Sequence, residues 1–150
     1  WGSDVCSSVL FSTLHRVNAV QTVERIITFF PPHQHELVRL QLALNLAGVC
    51  SLRLIKNKDG SAQVPAVELL INTPTVRELL EQGSTRMLPK ALNEGSYYGT
   101  MSFNQSLIRL FQAGNISLED ALASSDNPDE LKMQMRGITQ GATSARPVGS

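Results

Sequence analysis

Residues 12–54 read STLHRVNAVQTVERIITFFPPHQHELVRLQLALNLAGVCSLRL, and the order of signals in this stretch decides the fold. Just ahead of it, Val9, Leu10 and Phe11 form a short apolar run that ends in Ser12 and Thr13, the pattern of a buried parallel strand leaving its sheet. His15 then stands at the mouth of a strand-to-helix turn. Asn18 is a strong helix N-cap, because its side-chain oxygen can accept one of the orphan N–H groups of the first turn. Val20, Val23, Ile26, Ile27 and Phe30 recur at helical spacing until Pro31 and Pro32 stop the pattern. A second helix is predicted from His33 to about Ala47. Leu37, Leu40 and Leu44 share one face, Val38 and Leu42 lie beside them as a broad buried stripe, and Gly48 closes the helix.

Further along, residues 49–55 and 62–70 bracket Asp59 and Gly60, whose turn chemistry predicts a hairpin; Pro65 marks its strand as an edge or a bulged one. Thr73 and Pro74 then open a helix with Val76, Leu79 and Leu80 as its apolar face, ending at Gly83. Residues 86–94 suit a short helix before the turn GSYYG, where Tyr97 and Tyr98 are expected to pack. Phe103, Leu107, Leu110 and Phe111 line a helix that stops at Gly114. Ser117 with Asp120, and Asn127 with Glu130, start two small helices.

Composition excludes several classes. Thirteen Lys plus Arg balance thirteen Asp plus Glu among 150 residues, so no global charge draws the chain to nucleic acid or to an anionic membrane. No apolar run approaches the roughly 20 residues that cross a bilayer, and a soluble, cytoplasmic protein is expected. Cys6 and Cys50 stand far apart, as in a reducing compartment. His33 and His35 could be zinc ligands, but with no third ligand evident they read as surface histidines at a helix start, so no metal site is expected.

Three ordered segments closely resemble the PilT-type twitching-motility ATPases, the hexameric motors that retract type IV pili. The segment 12–54 is similar to the region after that family's catalytic core. VPAVELLINTPTVRELLEQG resembles its hairpin strand and "Ala-Ile-Arg-Asn-Leu-Ile"-type retraction motif. GTMSFNQSLIRLFQAGNISLEDALASSDNPDEL resembles its Gly-Met-Gln-Thr-x-Asp-Gln C-terminal helical segment. Agreement of all three in order and spacing, from about residue 9 to about residue 137, makes the resemblance specific.

The resemblance implies an α/β fold: the distal part of a RecA-like P-loop ATPase domain over 9–71, then an α-helical C-terminal subdomain over 72–137. Residues 1–8 are set aside as a start that is non-native or disordered, and 138–150 as a disordered tail. It places Thr13, Leu14 and His15 on the family's His box, beside the nucleotide, with His15 sensing the γ-phosphate. Chemically, an imidazole at the C-terminal end of a strand can donate a hydrogen bond to phosphate. Arg16 departs from the family pattern and adds a cation for phosphate or a neighbouring subunit. Thr75, Val76, Arg77, Glu78, Leu79 and Leu80 fall on the retraction motif. The three apolar members read as ordinary core, whereas Arg77 and Glu78 are the candidates for a transmitted contact. Further implications are Mg²⁺ and ATP bound between subunits of a homohexamer, and contact with the inner-membrane pilus platform protein. The chain would then be peripheral to the cytoplasmic face of the inner membrane.

No Gly-x-x-x-x-Gly-Lys-[Ser or Thr] run occurs, so the chain has no backbone cradle for phosphates and is expected to be an inactive C-terminal fragment of an ATP-hydrolysing parent. Assembly and secretion relatives carry a four-cysteine zinc module, and the solitary Cys50 favours the retraction branch. The alternatives are an assembly or secretion ATPase of the same superfamily, or a non-catalytic interaction module.

Overall fold

The computed structural model describes residues 18–143, with side chains through Arg136. Thr13, His15 and Arg16, the run at 9–11 and Cys6 lie outside the described residues. Helix α1 (Ala19–Thr28) starts where the sequence places its cap: Asn18 is extended, and its Oδ1 accepts the Gln21 N–H at 2.8 Å. After the two prolines, a short 3₁₀ turn leads into α2 (His35–Asn45). The hairpin follows as β1 (Gly48–Lys56) and β2 (Gln63–Ile71). At its tip Asp59 Oδ1 accepts the Ser61 N–H at 2.8 Å, and Gly60 takes φ +74°.

The hairpin register is unbroken from Gly48↔Ile71 to Lys56↔Gln63, so of the two roles open to Pro65 the structure keeps the edge and not the bulge. Its place is physically apt. Val67 and Leu69, of the same parity, aim their N–H groups away from β1, to Ser106 Oγ at 3.0 Å and to the Met101 carbonyl at 2.8 Å. The missing proline N–H therefore falls on the outer edge of β2.

Helices complete the described residues: α3 (Pro74–Glu81), α4 (Leu88–Glu94), α5 (Phe103–Gln112), α6 (Leu118–Ser124) and α7 (Pro128–Thr143). Thr73, Ser102 and Ser117 cap α3, α5 and α6 through their hydroxyl oxygens, and at α5 Gln105 reaches back to complete a capping box. Two apolar clusters result. The first joins Val23 and Ile27 of α1, Leu70 of β2, Val76 and Leu80 of α3, and Leu88 of α4. The second joins Ile55 and Ala66 of the hairpin to Phe103, Leu107, Ile116 and Leu131. Both clusters share one face of the hairpin, and Glu68 sits on that face between Ala66 and Leu70.

Four expectations need correction. Leu37, Leu40 and Leu44 are exposed, at 59%, 43% and 57%, and α2 instead turns Val38, Leu42 and Ala43 to the core, because small Ala43 lets the helix approach closely. Phe30 and Phe111 likewise lie at the surface, beyond the apolar faces of their helices. Tyr97 and Tyr98 are exposed in a 3₁₀ turn and meet each other edge to face at 5.4 Å, not the core. Helix α7 runs on to Thr143, past the point where a tail was expected to begin; once Asn127 Oδ1 accepts the Glu130 N–H and Leu131 is anchored, each further residue costs only propagation.

The other hairpin face presents Leu52 and Leu54, each 58% exposed, to solvent. Together with the α2 leucines they form apolar surface that invites self-association. The 150-residue chain by itself is expected to sediment as a mixture of associated species, and the pair Leu52→Lys with Leu54→Glu to shift it toward monomer; a sharp monomer peak for the unsubstituted chain would contradict this.

Candidate functional site

The charged residues of the hairpin gather where α1, α5 and the α6–α7 connection meet. Glu68 is only 5% exposed, and its Oε1 accepts the backbone N–H of Ala19, the first residue of α1, at 2.6 Å. The N–H of Phe103, first residue of α5, also favours its ionised form. Two helix N-termini thus converge on one carboxylate, each carrying partial positive charge.

A second anion sits beside it. Both oxygens of Asp126 lie 2.8 Å from Arg53 Nη2, while Arg53 Nη1 donates to the Ser124 carbonyl at 2.8 Å. The Arg53 guanidinium stacks 4.1 Å above the Phe103 ring. Asn18, besides capping α1, donates from Nδ2 to Asp126 Oδ2 at 3.3 Å. Asn104 accepts from Ser125 Oγ at 2.7 Å, so the third sequence motif fastens α5 to the α6–α7 connection. A cleft of about 270 Å³ is lined by Asn18, Glu68, Asn104 and Asp126, together with Asn93 and Glu130. Among the described residues, no three His, Cys, Asp or Glu side chains come together as metal ligands.

Burial dominates the electrostatics of Glu68 and pushes its carboxyl above the ordinary value; the Ala19 and Phe103 N–H groups and Arg53 oppose this, and Asp126 adds to it. The proton is therefore bound more tightly in the folded than in the unfolded chain. This group's stabilising contribution is present below the unfolded pKa and fades as pH rises through the folded one.

The retraction-motif residues lie on α3. Val76 and Leu80 are fully buried against α1 and α4, and Leu79 is half-buried. Thr75, Arg77 and Glu78 face solvent, with Glu78 Oε1 accepting from Gln82 Nε2 at 3.1 Å. The structure thus separates the motif into a packed side and an accessible polar side. Of the histidines, His33 is exposed, and His35 Nε2 lies 2.7 Å from the Phe30 carbonyl, closing the Pro-Pro turn. Sequence reasoning passed over Glu68, Arg53 and Asp126. The signal for Glu68 was available, since in strict alternation it shares a face with Val64, Ala66 and Leu70, a carboxylate at a core position.

Comparison with known proteins gives the following. No protein-family model matches the chain. It is 35% identical over 125 residues to the type IV pilus ATPase PilU of Pseudomonas aeruginosa, covering 83% of this chain and 33% of that protein. It is 34% identical to a twitching motility protein of Neisseria gonorrhoeae, covering 82% of this chain and 33% of that protein. To the type IV pilus retraction ATPase PilT of P. aeruginosa it is 32% identical, covering 82% of this chain and 36% of that protein. The crystal structure of the pilus retraction motor PilT with bound ADP superposes with a TM-score of 0.71 at 34% identity, covering 80% of this chain and 33% of that one. The Legionella pneumophila ATPase DotB, at 17% identity and a TM-score of 0.58 over 82% of this chain and 30% of that one, shares the fold. That fold is the RecA-like P-loop fold of the traffic ATPases, here mostly helical around a small sheet. The chain spans about a third of the length of the curated relatives it matches.

The sign of the Glu68 effect is testable. In the Leu52→Lys, Leu54→Glu background, urea unfolding should show Glu68→Gln gaining stability relative to Glu68 as pH rises from the ordinary glutamate value of 4.5. A difference that stays flat or reverses would contradict the burial of this carboxylate.

Proposed function

Because the chain is a homologue of the PilT-type pilus ATPases over the third of their length that it spans, we propose that it is the C-terminal part of a hexameric, ATP-hydrolysing motor that powers pilus retraction. The observation that carries this reading is identity of 32–35% to three pilus or twitching proteins, sustained over more than four-fifths of the chain. The α3 geometry supports it: Arg77 and Glu78 are solvent-facing on a helix whose Val76 and Leu80 are locked in the core, the arrangement a force-transmitting contact needs.

In this reading Thr13, His15 and Arg16 lie beside the nucleotide. A hydroxyl, an imidazole and a guanidinium are the donor types that phosphate oxygens take, so the donor set fits a triphosphate, whose own oxygens would carry the Mg²⁺. The bound triphosphate supplies the phosphoryl group that passes to water. His15 holds a hydrogen bond toward the γ-phosphate, and Arg16 adds positive charge at the subunit boundary. The phosphate cradle itself comes from residues this chain does not carry.

The motor would act as a homohexamer on the inner-membrane pilus platform protein, at the cytoplasmic face of the membrane. It would be peripheral there, which agrees with the described helices: none is long and apolar enough to cross a bilayer.

Two substitutions in the complete protein test the reading. His15→Ala is expected to lower ATP turnover about 10²-fold, the scale of one positioned catalytic hydrogen bond. Arg77→Ala with Glu78→Ala should leave ATP turnover within about twofold of the parent yet abolish twitching zones on agar, because the pair meets a partner and not the nucleotide. Wild-type turnover in the first, or wild-type twitching in the second, would overturn the corresponding assignment.

A further inference from the structure

Helix α3 carries Arg77 and Glu78 on its accessible side, and its own sequence leaves its end poorly compensated. The last turn holds Glu78 and Glu81 and no basic residue, although a helix C-terminus is the negative end of its dipole. The chain closes there with Gly83 at φ +69°: the Gly83 N–H donates to the Leu80 carbonyl at 3.1 Å and the Ser84 N–H to the Leu79 carbonyl at 2.8 Å. The missing cation comes from α2. Arg39 lies half-buried against this closure, so that a methyl group at Gly83 would stand 3.2 Å from its Nε and 3.4 Å from its Cζ. That Nε is buried and has no hydrogen-bond partner among the described residues, so no hydrogen bond through it explains where the side chain lies. The other end of α3 is tied to the same helix. Asn72, just ahead of the Thr73 cap, donates from Nδ2 to the Ala43 carbonyl of α2 at 2.9 Å. α2 therefore brackets α3 at both ends, while its Val38 and Leu42 pack on the cluster that holds Val76 and Leu80.

We propose that Arg39 is a positioning residue for α3: its guanidinium, seated on Gly83, supplies the positive charge that the end of the helix lacks and holds Arg77 and Glu78 in place relative to α2. The glycine serves both partners. Its positive φ closes the helix, and its missing side chain is the space the guanidinium occupies. A force-bearing contact on α3 is only as firm as the hold on the helix itself. At eight residues, α3 is too short to be stable by its own hydrogen bonds, so what grips its ends decides how firmly it stands. Arg39 acts through α3 and not on the nucleotide; the inference rests on the reading that Arg77 and Glu78 meet a partner.

Two variants of the complete protein separate charge from packing. Arg39→Met keeps the aliphatic stem and removes the charge, whereas Arg39→Lys keeps the charge. Arg39→Met should slow the retraction of single pili about threefold, the scale of one charge at a helix terminus, while ATP turnover stays within about twofold of the unsubstituted protein. Arg39→Lys should retract at close to the unsubstituted speed. In hydrogen exchange, the Gly83 and Ser84 amides that close α3 should exchange about threefold faster in the Met variant. Where the Met variant does not fold, Arg39→Gln is read in its place. Unchanged retraction or unchanged exchange in the Met variant, ATP turnover that falls in step with retraction, or a Lys variant as slow as the Met variant would overturn the inference. Normal twitching in Arg77→Ala with Glu78→Ala would instead overturn the reading of α3 as the force contact. Exchange at Gly83 and Ser84 would still report the hold of Arg39, and so the two failures are distinct.

Discussion

One buried hydrogen bond organises the described part of this molecule: Glu68 Oε1 accepting the Ala19 N–H. Removing a carboxylate from water is costly, and an apolar residue at the same inward strand position would avoid the cost. What the carboxylate does that a leucine could not is accept the first N–H of α1 while its negative charge is favoured by the start of α5. The start of α1 lies more than 80 residues ahead of α5, and the two belong to different apolar clusters, yet both bear on the same anion. The hairpin thereby becomes a fixed reference for both clusters.

Between those clusters runs a polar seam made of Asn18, Glu68, Arg53, Asp126, Asn104 and Ser125. Its members differ in weight. The Arg53–Asp126 pair is made through Nη2 alone and lies partly in solvent, so its direct contribution is small; its larger effect is to hold Asp126 where Asn18 can reach it. Glu68 is shielded, and a partner lost there leaves an unpaired group in the interior. A seam of this kind specifies one relative placement of its helices, whereas apolar packing alone tolerates small shifts.

Elements governed by local chemistry were legible from the sequence. The Asn18 cap, the Pro31–Pro32 stop, the Asp59–Gly60 turn, the Thr73–Pro74 helix start and the Ser117 cap each depend on a few adjacent residues, and each is found where its signal stands. Choices made by tertiary packing were not. Periodicity shows that α2 is apolar on more than one side but cannot tell which side meets its neighbours, and the leucine stripe of Leu37, Leu40 and Leu44 lost to the side bearing Ala43. The seam was hidden for the same reason: Arg53 and Asp126 are distant in sequence, and nothing local marks them as a pair. Glu68 alone carried a readable sign, a charge at an inward strand position. Of the candidate site, the α3 residues separate into packed and accessible sets as their spacing implies, while Thr13, His15 and Arg16 precede the described residues.

In the proposed motor, the seam would hold the start of α1 to the helices that follow the hairpin. The most direct measurement is an experimental structure of the complete protein with a non-hydrolysable ATP analogue bound. The account predicts the His15 imidazole within hydrogen-bond distance, about 3 Å, of a γ-phosphate oxygen, with the Ala19 N–H still on Glu68. An imidazole turned into an apolar interior away from the nucleotide, or an Ala19 N–H bonded elsewhere, would contradict it.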